Sequence, residues 1–593
     1  MIAKFFRRRC TMMRRVCKRN LATTTHEVTN QATTLENYDA LSHDRALATR
    51  ANVMLSPDQK EEVARYGTIL GAPVFLEHAD RANRNIPELK THDRFGHRID
   101  SVVYDPSYHH IMNRAVSAGV SNLCWRESFR REAGSHLSRA FLSMLHYQHE
   151  SGTGCPLTMA FASVPCLRTG AKHSDFIREL LDKVSQSSEY DPSDVPIHQK
   201  NGCLVGMSMT EKQGGSDVRT NTTVASPIRG EGTEFELVGH KWFTSAPMSD
   251  GFLTLAKVSG SDDLTCFLVP RWRPDTQQRN VGFRLQRLKS KLGDRSNASS
   301  EVEYDRAYGI LIGEVDRGVS CIIEMVSLTR LDCVLGSAAL QRHATNHALH
   351  HANHRRAFGA LLRSQPLMSS VLTDLCVESE AAISLALRLA RASEAHYRSN
   401  DTEERDFFRL ACAVAKYYIC KRTPAVVAEA LECFGGNGFV EDHGNMMPRL
   451  YRQAPLNSIW EGSSNVICLD VLRAMKRNPE STRALRSELE TFRGNDSRYD
   501  RLLDRIWSSL AALGERDGIF GVRAFVDDLA VALCACSLMN DLERGIPCND
   551  VLEFYVSSRV DGAYGTNLGS LRNPDAASAK RVVDQAAEFL ARR

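Results

Sequence analysis

The hydrophobic period of this chain changes at residue 203 and changes back at 319, and no other feature narrows the possible folds as far. CLVGMSMTE, FELVGHKWFTS, GFLTLAKVSG, LTCFLVPRWR and VGFRLQRL are short β-branched or aromatic runs separated by Gly, Asp, Ser and Pro, the pattern of strands in an antiparallel β-domain. Before them the period is mostly helical. The stretch 127–151 keeps Phe129, Leu137, Phe141, Leu145 and Tyr147 near one face, and HSDFIRELLDKVSQ opens with Ser174 as a helix cap. Residues 77–112 have few apolar side chains and much Pro, Asp and His, so this segment is expected to wrap over another surface. After the strands come three long helical blocks, two of them ending near Gly359 and Gly435.

The fold class read from this is α+β: a helical N-terminal domain over 27–202, the β-domain over 203–315, a helical C-terminal bundle over 316–475 and an extra helical unit over 476–593. The chain has 593 residues, more than one core holds, since single domains rarely pass about 250–300 residues. No window supplies the roughly 18 uninterrupted apolar residues of a membrane-spanning helix; the best candidate, LAVALCAC at 529–536, is far too short.

The net charge of +4 is carried by the first residues. Lys4, Arg7, Arg8, Arg9, Arg14, Arg15, Lys18 and Arg19 precede any acid, and without them the chain stands at −4 (67 basic against 71 acidic residues). Residues 1–26 therefore read as a mitochondrial-type presequence and predict a protein of the mitochondrial matrix; a basic arm for nucleic acid or membrane is the alternative. The unit over 476–593 has 17 basic and 18 acidic residues, a balance that does not favour a nucleic-acid footprint. The 17 cysteines include no CxxC pair, so no metal is expected and the thiols read as small buried hydrophobes.

Neither GxGxxG after a strand nor GxxxxGK[ST] occurs, so any nucleotide is bound without the two commonest phosphate loops. The first strand of the β-domain runs from Met207 through Thr210 into a glycine-rich turn, Gly214-Gly215-Ser216-Asp217, whose amides and hydroxyls suit a flat polar ring and an anion. Alone, it is equally a plain turn. Trp242 and Thr244 share one face of a later strand, with Phe243 on the other; alone, this is a half-buried strand. Arg355-Arg356-Ala-Phe358-Gly359 and Phe434-Gly435-Gly436-Asn437-Gly438-Phe439 follow two of the long helices and suit a diphosphate. Trp460-Glu461-Gly462 places a carboxylate beside an aromatic, between Ile459 and Gly462, surroundings that make a usable base. His343, His347, His350, His351 and His354 recur at helical spacing, but no acid or thiol joins them, so interhelical or solvated histidines are expected rather than a metal site.

In this order and at these separations the five elements resemble the acyl-CoA dehydrogenase family. The closer likeness is to its AidB-type branch, through MTEKQGGSDVRTNTT, DRFGHRIDSVVYDPSYHHIM, HESGTGCPLTMAFA, NSIWEGSSNVICLDVLR and the extra C-terminal helices. The resemblance implies FAD, with Met207, Thr210, Gly215 and Ser216 lining the flavin, Trp242 stacking on it and Thr244 donating to its hydride-accepting nitrogen. It implies that Arg355, with Phe358, and Gly435 with Gly436 meet the diphosphate across a subunit boundary, and that Ser463 and Asn465 touch the adenosine side. Glu461 is the implied base, because Thr329, the residue before Arg330, cannot serve; Ser216, Arg330, Glu461 and Gly462 are the implied substrate contacts. The implied activity is α,β-desaturation of an acyl-CoA by a homotetramer or homodimer, with an electron-transfer flavoprotein as one candidate acceptor. The branch also carries two alternatives: a DNA-protecting flavoprotein, and a binder that sequesters acyl-CoA with little turnover.

Overall fold

The computed structural model describes residues 25–229, 232–442, 444–513, 516–572 and 574–591. The presequence reading falls almost entirely on residues 1–24, which lie outside the described residues.

The N-terminal layer comprises α1 (Arg45–Met54), α2 (Pro57–Leu70), α3 (Pro73–Arg84), a hairpin of β1 (Glu88–His92) and β2 (Arg98–Val103), then α4 (Pro106–Ala118), α5 (Glu127–Arg130), α6 (Ser135–His149), α7 (Gly154–Gly170) and α8 (Asp175–Gln186). Ser174 caps α8 as expected, accepting from the Ile177 amide at 3.3 Å. The stretch read as one helix from 127 is two. Gly134 ends the break at φ +88°, a left-handed conformation that favours glycine, and Gln59 of α2 donates to the adjacent Ala133 carbonyl at 2.8 Å. The β1–β2 hairpin is the wrapping segment: Arg98 donates to the Leu285 carbonyl at 2.5 Å, and Asp100 accepts from the Leu285 amide at 3.3 Å.

The sheet comprises β3 (Val205–Ser208), β4 (Val224–Pro227), β5 (Glu234–Ser245), β6 (Gly251–Val258), β7 (Leu264–Pro270), β8 (Phe283–Leu288) and β9 (Ser299–Ile312), in the order β3-β6-β4-β5-β9-β7, with β8 on β9. A further β6–β7 pairing joins the ends of the β6-to-β7 run into a ring, leaving β3 as a branch at the rim. Most pairs are antiparallel, but β3–β6 and β4–β6 run parallel. Alternation along a strand reports which face is buried and not the direction of its neighbour.

Three helices dominate the rest: α9 (Gly318–His354), α10 (Pro366–Ser399) and α11 (Thr402–Glu432), with a tight hairpin of β10 (Arg356–Ala357) and β11 (Ala360–Leu361) after α9. Then follow α12 (Met447–Gln453), α13 (Ser464–Arg477), α14 (Pro479–Glu490), α15 (Ser497–Ala512), α16 (Val522–Glu543), α17 (Asn549–Tyr555) and α18 (Ala576–Ala591). Buried ion pairs tie these last helices to α10. Arg50 meets Asp541 at 2.9 Å and donates to Ser384 at 2.7 Å, while Arg559 meets Asp374 at 2.6 Å and Glu378 at 2.8 Å. The histidine series faces neighbouring elements: the His343 ring lies 5.0 Å from that of His149 in α6, and His350 donates to the Thr33 carbonyl at 2.7 Å. Burial lowers His347 to about 3, so it is neutral at physiological pH. Among the described residues, no helix is long and apolar enough to cross a membrane.

Candidate active site

The loop before α13 presents Glu461 in the left-handed region, φ +58°, followed by Gly462 at +101°. A non-glycine residue holds that conformation only when its surroundings impose it, and here they do. Lys416, buried in α11, donates to the Trp460 carbonyl at 2.8 Å and to the Gly462 carbonyl. Arg330 Nε donates to the Glu461 carbonyl at 3.2 Å, and its Nη1 meets Asp470 of α13 at 2.6 Å. Three successive carbonyls are thus pinned by two cations. The Glu461 side chain is aimed separately, by the Thr329 hydroxyl donating to Oε2 at 2.6 Å. Asn457 accepts from the Trp460 indole at 2.9 Å.

Across from this loop lies β3. Met207 and Trp460 pack against the same small group, Cys155, Met159 and Ala246, which brings the first strand of the sheet and the carboxylate loop to one apolar cluster. Thr244 is fully buried and shares a hydrogen bond with the Ser208 hydroxyl. The Trp242 amide donates to the Thr210 carbonyl at 2.8 Å, so the strand bearing the indole is joined to the strand entering the glycine turn. The indole is half-buried, with Lys289 Nζ 3.1 Å from its ring centroid. Gly215 lies against Thr210, where a Cβ would come within 2.9 Å of the threonine methyl, and Ser216 is exposed.

The turn is held from below by Glu211 and Lys241, both fully buried, at 2.9 Å. Glu211 also accepts from the Thr222 amide at 2.7 Å and the Thr223 amide at 3.1 Å. Burial opposes its ionisation, but Lys241 and these donors outweigh burial and bring the carboxyl down to about 2. Burial lowers Lys241 to about 8 despite Glu211. The pair therefore stays ionised at neutral pH and fixes the Thr210 and Trp242 strands relative to each other.

Arg355, Phe358, Gly435 and Gly436 form a second group at the other end of α9. His351 and Phe434 stack there at 4.4 Å, joining the ends of α9 and α11. Arg355 spends one donor on the Asn30 carbonyl, at 2.6 Å. A Cβ built at Gly435 or Gly436 would meet nothing within 4 Å, so the backbone there is open to close approach, and Phe358 is 98% exposed. Between Arg330 and the end of α9 at His354 the helix is continuous; its rise of 1.5 Å per residue makes that roughly 36 Å, more than one dinucleotide spans. Ser463 and Asn465 belong with the first group, at the start of α13, and Ser463 makes no side-chain capping bond.

The donor set suits a flat cofactor with a diphosphate: a rim strand, the Thr210, Ser216 and Thr244 hydroxyls, open glycines and an arginine with spare N–H groups. Three residues of the site escaped the sequence reading. Thr329 was set aside as a failed base, although it orients the base. Lys416 lies in the apolar run ACAVAKYYI, and a lone lysine there was itself a signal, since lysine is almost never buried without partners. Asn457 offered no signal.

Three family models match the chain in succession. Residues 30–192 match the model of the adaptive response protein AidB N-terminal domain, 206–307 the acyl-CoA dehydrogenase middle domain and 316–476 the acyl-CoA dehydrogenase C-terminal domain. The chain is 42% identical to the putative acyl-CoA dehydrogenase AidB of Escherichia coli (strain K12), over 91% of this chain and 98% of that protein. It is 30% identical to acyl-CoA dehydrogenase family member 11 of Caenorhabditis elegans, over 75% of this chain and 71% of that one. Among solved structures, Caenorhabditis elegans ACDH-11 in complex with C11-CoA superposes with a TM-score of 0.79 over 96% of this chain and 98% of that chain, at 22% identity. An acyl-CoA dehydrogenase complexed with FAD from Bacillus anthracis superposes at 0.67 over 96% and 97%, at 16% identity; at such identities these two establish the fold alone. The expectation of a mitochondrial matrix protein is corrected by the same comparison: the relative matched over 98% of its length is bacterial, which points to a cytoplasmic protein.

Proposed function

This chain belongs to the acyl-CoA dehydrogenase family, in its AidB-type branch, and from that premise we propose that Glu461 is the base that removes the α-proton of an acyl-CoA thioester in its α,β-desaturation. The chain is an FAD-dependent oxidoreductase acting on acyl-CoA. When bound, FAD supplies the acceptor for the hydride that leaves the β-carbon. The observation that carries the residue assignment is the Thr329–Glu461 hydrogen bond at 2.6 Å within a loop pinned by Lys416 and Arg330, opposite Met207.

Proton removal requires a carboxylate held against the acyl chain and a donor where enolate charge develops on the thioester oxygen. Thr329 holds the Glu461 carboxylate, and we assign the Glu461 amide, in the left-handed turn before α13, to serve as that donor. Met207, Trp460 and Met159 give the carboxylate loop an apolar neighbourhood. Gly462 and Ser216 border the substrate side, and we assign Arg330 to bracing the loop beneath the substrate.

The roughly 36 Å between the two groups supports a self-associated enzyme, best a dimer of dimers, in which Arg355 and the Gly435–Gly436 turn serve the cofactor of a neighbouring subunit. Phe358 and Phe439, 98% and 82% exposed, flank that surface. A DNA-protecting role is less well supported. In the most basic stretch of the C-terminal unit, Arg483, Arg486, Arg493, Arg498, Arg501 and Arg505 are paired with Glu480, Glu490, Asp504, Asp496, Glu553, Asp561 and Asp528, leaving little charge for phosphates.

The test is Glu461→Gln. It keeps the side-chain shape without a proton-accepting oxygen at neutral pH, so FAD remains bound while exchange of the acyl α-proton with solvent stops. Exchange at most of the parent rate would overturn the assignment, and so would anaerobic mixing with a panel of acyl-CoAs that left the flavin colour unchanged.

A further inference from the structure

Three cysteines far apart in sequence meet where the N-terminal helical layer, the sheet and the bundle join. Cys166 is on α7, Cys266 on β7 and Cys321 in the first turn of α9. Their sulfur atoms all lie within 4.8 Å of one another, and those of Cys166 and Cys321 are 3.6 Å apart. Cys166 and Cys266 are buried among apolar side chains, including Ile312, Ile322 and Met325, while Cys321 is half-buried at the rim of the same cluster. In the sheet, Cys266 stands opposite Leu255 on one side and Ile312 on the other.

We propose that Cys166, Cys266 and Cys321 form a three-thiolate site for one thiophilic cation, Zn2+ or Cu+, separate from the acyl-CoA site. A metal–sulfur bond of about 2.3 Å in tetrahedral geometry places two sulfurs about 3.8 Å apart, which the observed separations reach with side-chain adjustments below about 1 Å. Thiolate sulfur is soft and selects these ions over Mg2+ or Ca2+. Each ligating thiol gives its proton to solvent as the ion enters, and no electron is transferred. Among the described residues no histidine or carboxylate completes the set, so either water enters beside the half-buried Cys321 as a fourth ligand to Zn2+, or Cu+ is held by three sulfurs. The N-terminal turn of the 37-residue α9 lies beside the anionic complex with the favourable end of its dipole. A bound ion would clamp three layers at a point where they meet through apolar side chains.

The full-length, FAD-loaded protein, reduced and anaerobic, is titrated in separate arms with Co2+, Zn2+ and Cu+. The expected result is one equivalent of Co2+ with a thiolate-to-metal charge-transfer band, displaced stoichiometrically by Zn2+ or by Cu+, and the displacing arm identifies the preferred ion. Cys321→Ser and Cys166→Ala each weaken binding by more than about tenfold, with the flavin spectrum and basal turnover unchanged, whereas Cys203→Ser, in the loop before β3, binds as the parent does. Three results would overturn the proposal: no saturable band, a band that survives in both variants, or a Cys166–Cys321 disulfide in anaerobically purified protein that takes up no metal after reduction.

Discussion

The hydroxyl of Thr329 donates to Oε2 of Glu461 at 2.6 Å, from the turn of α9 whose next residue, Arg330, grips the carbonyl of that same glutamate at 3.2 Å. One turn of one helix therefore fixes both the carboxylate and the backbone of the proposed base. Loss of a hydrogen bond to a charged group is worth about 1.5–3 kcal/mol. Thr329→Val should accordingly lower kcat by about tenfold or more with little change in KM, because the bond orients the carboxylate rather than the substrate. Thr329→Ser should recover most of the rate. An equal loss in both variants, or a loss confined to KM, would refute the positioning role.

At Gly436 an added methyl group meets nothing within 4 Å, and the backbone is not in the left-handed region. Gly436→Ala should therefore leave the free energy of unfolding within about 0.5 kcal/mol of the parent. It should weaken FAD by about tenfold or more if a diphosphate rests on that backbone. Isothermal titration of apoprotein with FAD, beside a urea melt, separates the two effects, and unchanged FAD affinity would remove Gly436 from the cofactor site.

Glu211 titrates at about 2 in the folded chain against 4.5 ordinarily. Its folded value is depressed, so its stabilisation is complete above about 4.5 and is lost as pH falls from there toward 2, in total about 3 kcal/mol. Lys241 has the opposite sign: it is lowered to about 8 from 10.5, so burying its ammonium costs stability below pH 8, and the cost is relieved as pH rises from 8 to 10.5. Glu211→Gln should flatten the acid limb of the stability profile. At pH 7 it should cost about 3–5 kcal/mol, because it strands a buried cation. Adding Lys241→Met to it should restore part of that loss. Denaturant melts from pH 3 to 9 would show it, and an unchanged acid limb in Glu211→Gln would count against the pair.

Arg559 is 4% exposed and bridges Asp374 at 2.6 Å and Glu378 at 2.8 Å. Arg559→Ala leaves two buried carboxylates short of a partner, with only Arg422 remaining on Glu378. A loss of about 3–5 kcal/mol is expected, with early proteolysis within 545–575 as the turn that bears Arg559 detaches from α10. Equal protease resistance in parent and variant would show that Arg559 does not hold this segment on α10.

The helix–sheet–helix order was legible in the sequence because burial of one face writes a period of 3.6 or 2 into any chain that must hide apolar side chains from water. Caps such as Ser174 were legible for a similarly local reason: a side chain and an amide three residues apart need no other part of the molecule. The motifs of the candidate site were legible in the sequence, and Met207 and Trp460 pack against one small apolar cluster.

What joins residues distant in sequence was settled only by the tertiary structure. The parallel pairing of β3 with β6 and the break at Gly134 depend on neighbours that the local period does not report. The role of Thr329 depends on a glutamate 132 residues away, and the meeting of Cys166, Cys266 and Cys321 depends on how a helix, a strand and a second helix dock. Cysteine spacing along the chain argued against a metal because ligand spacing is informative only when ligands come from one turn or hairpin. When each sulfur arrives on its own element, only the packing of those elements sets the distances between them.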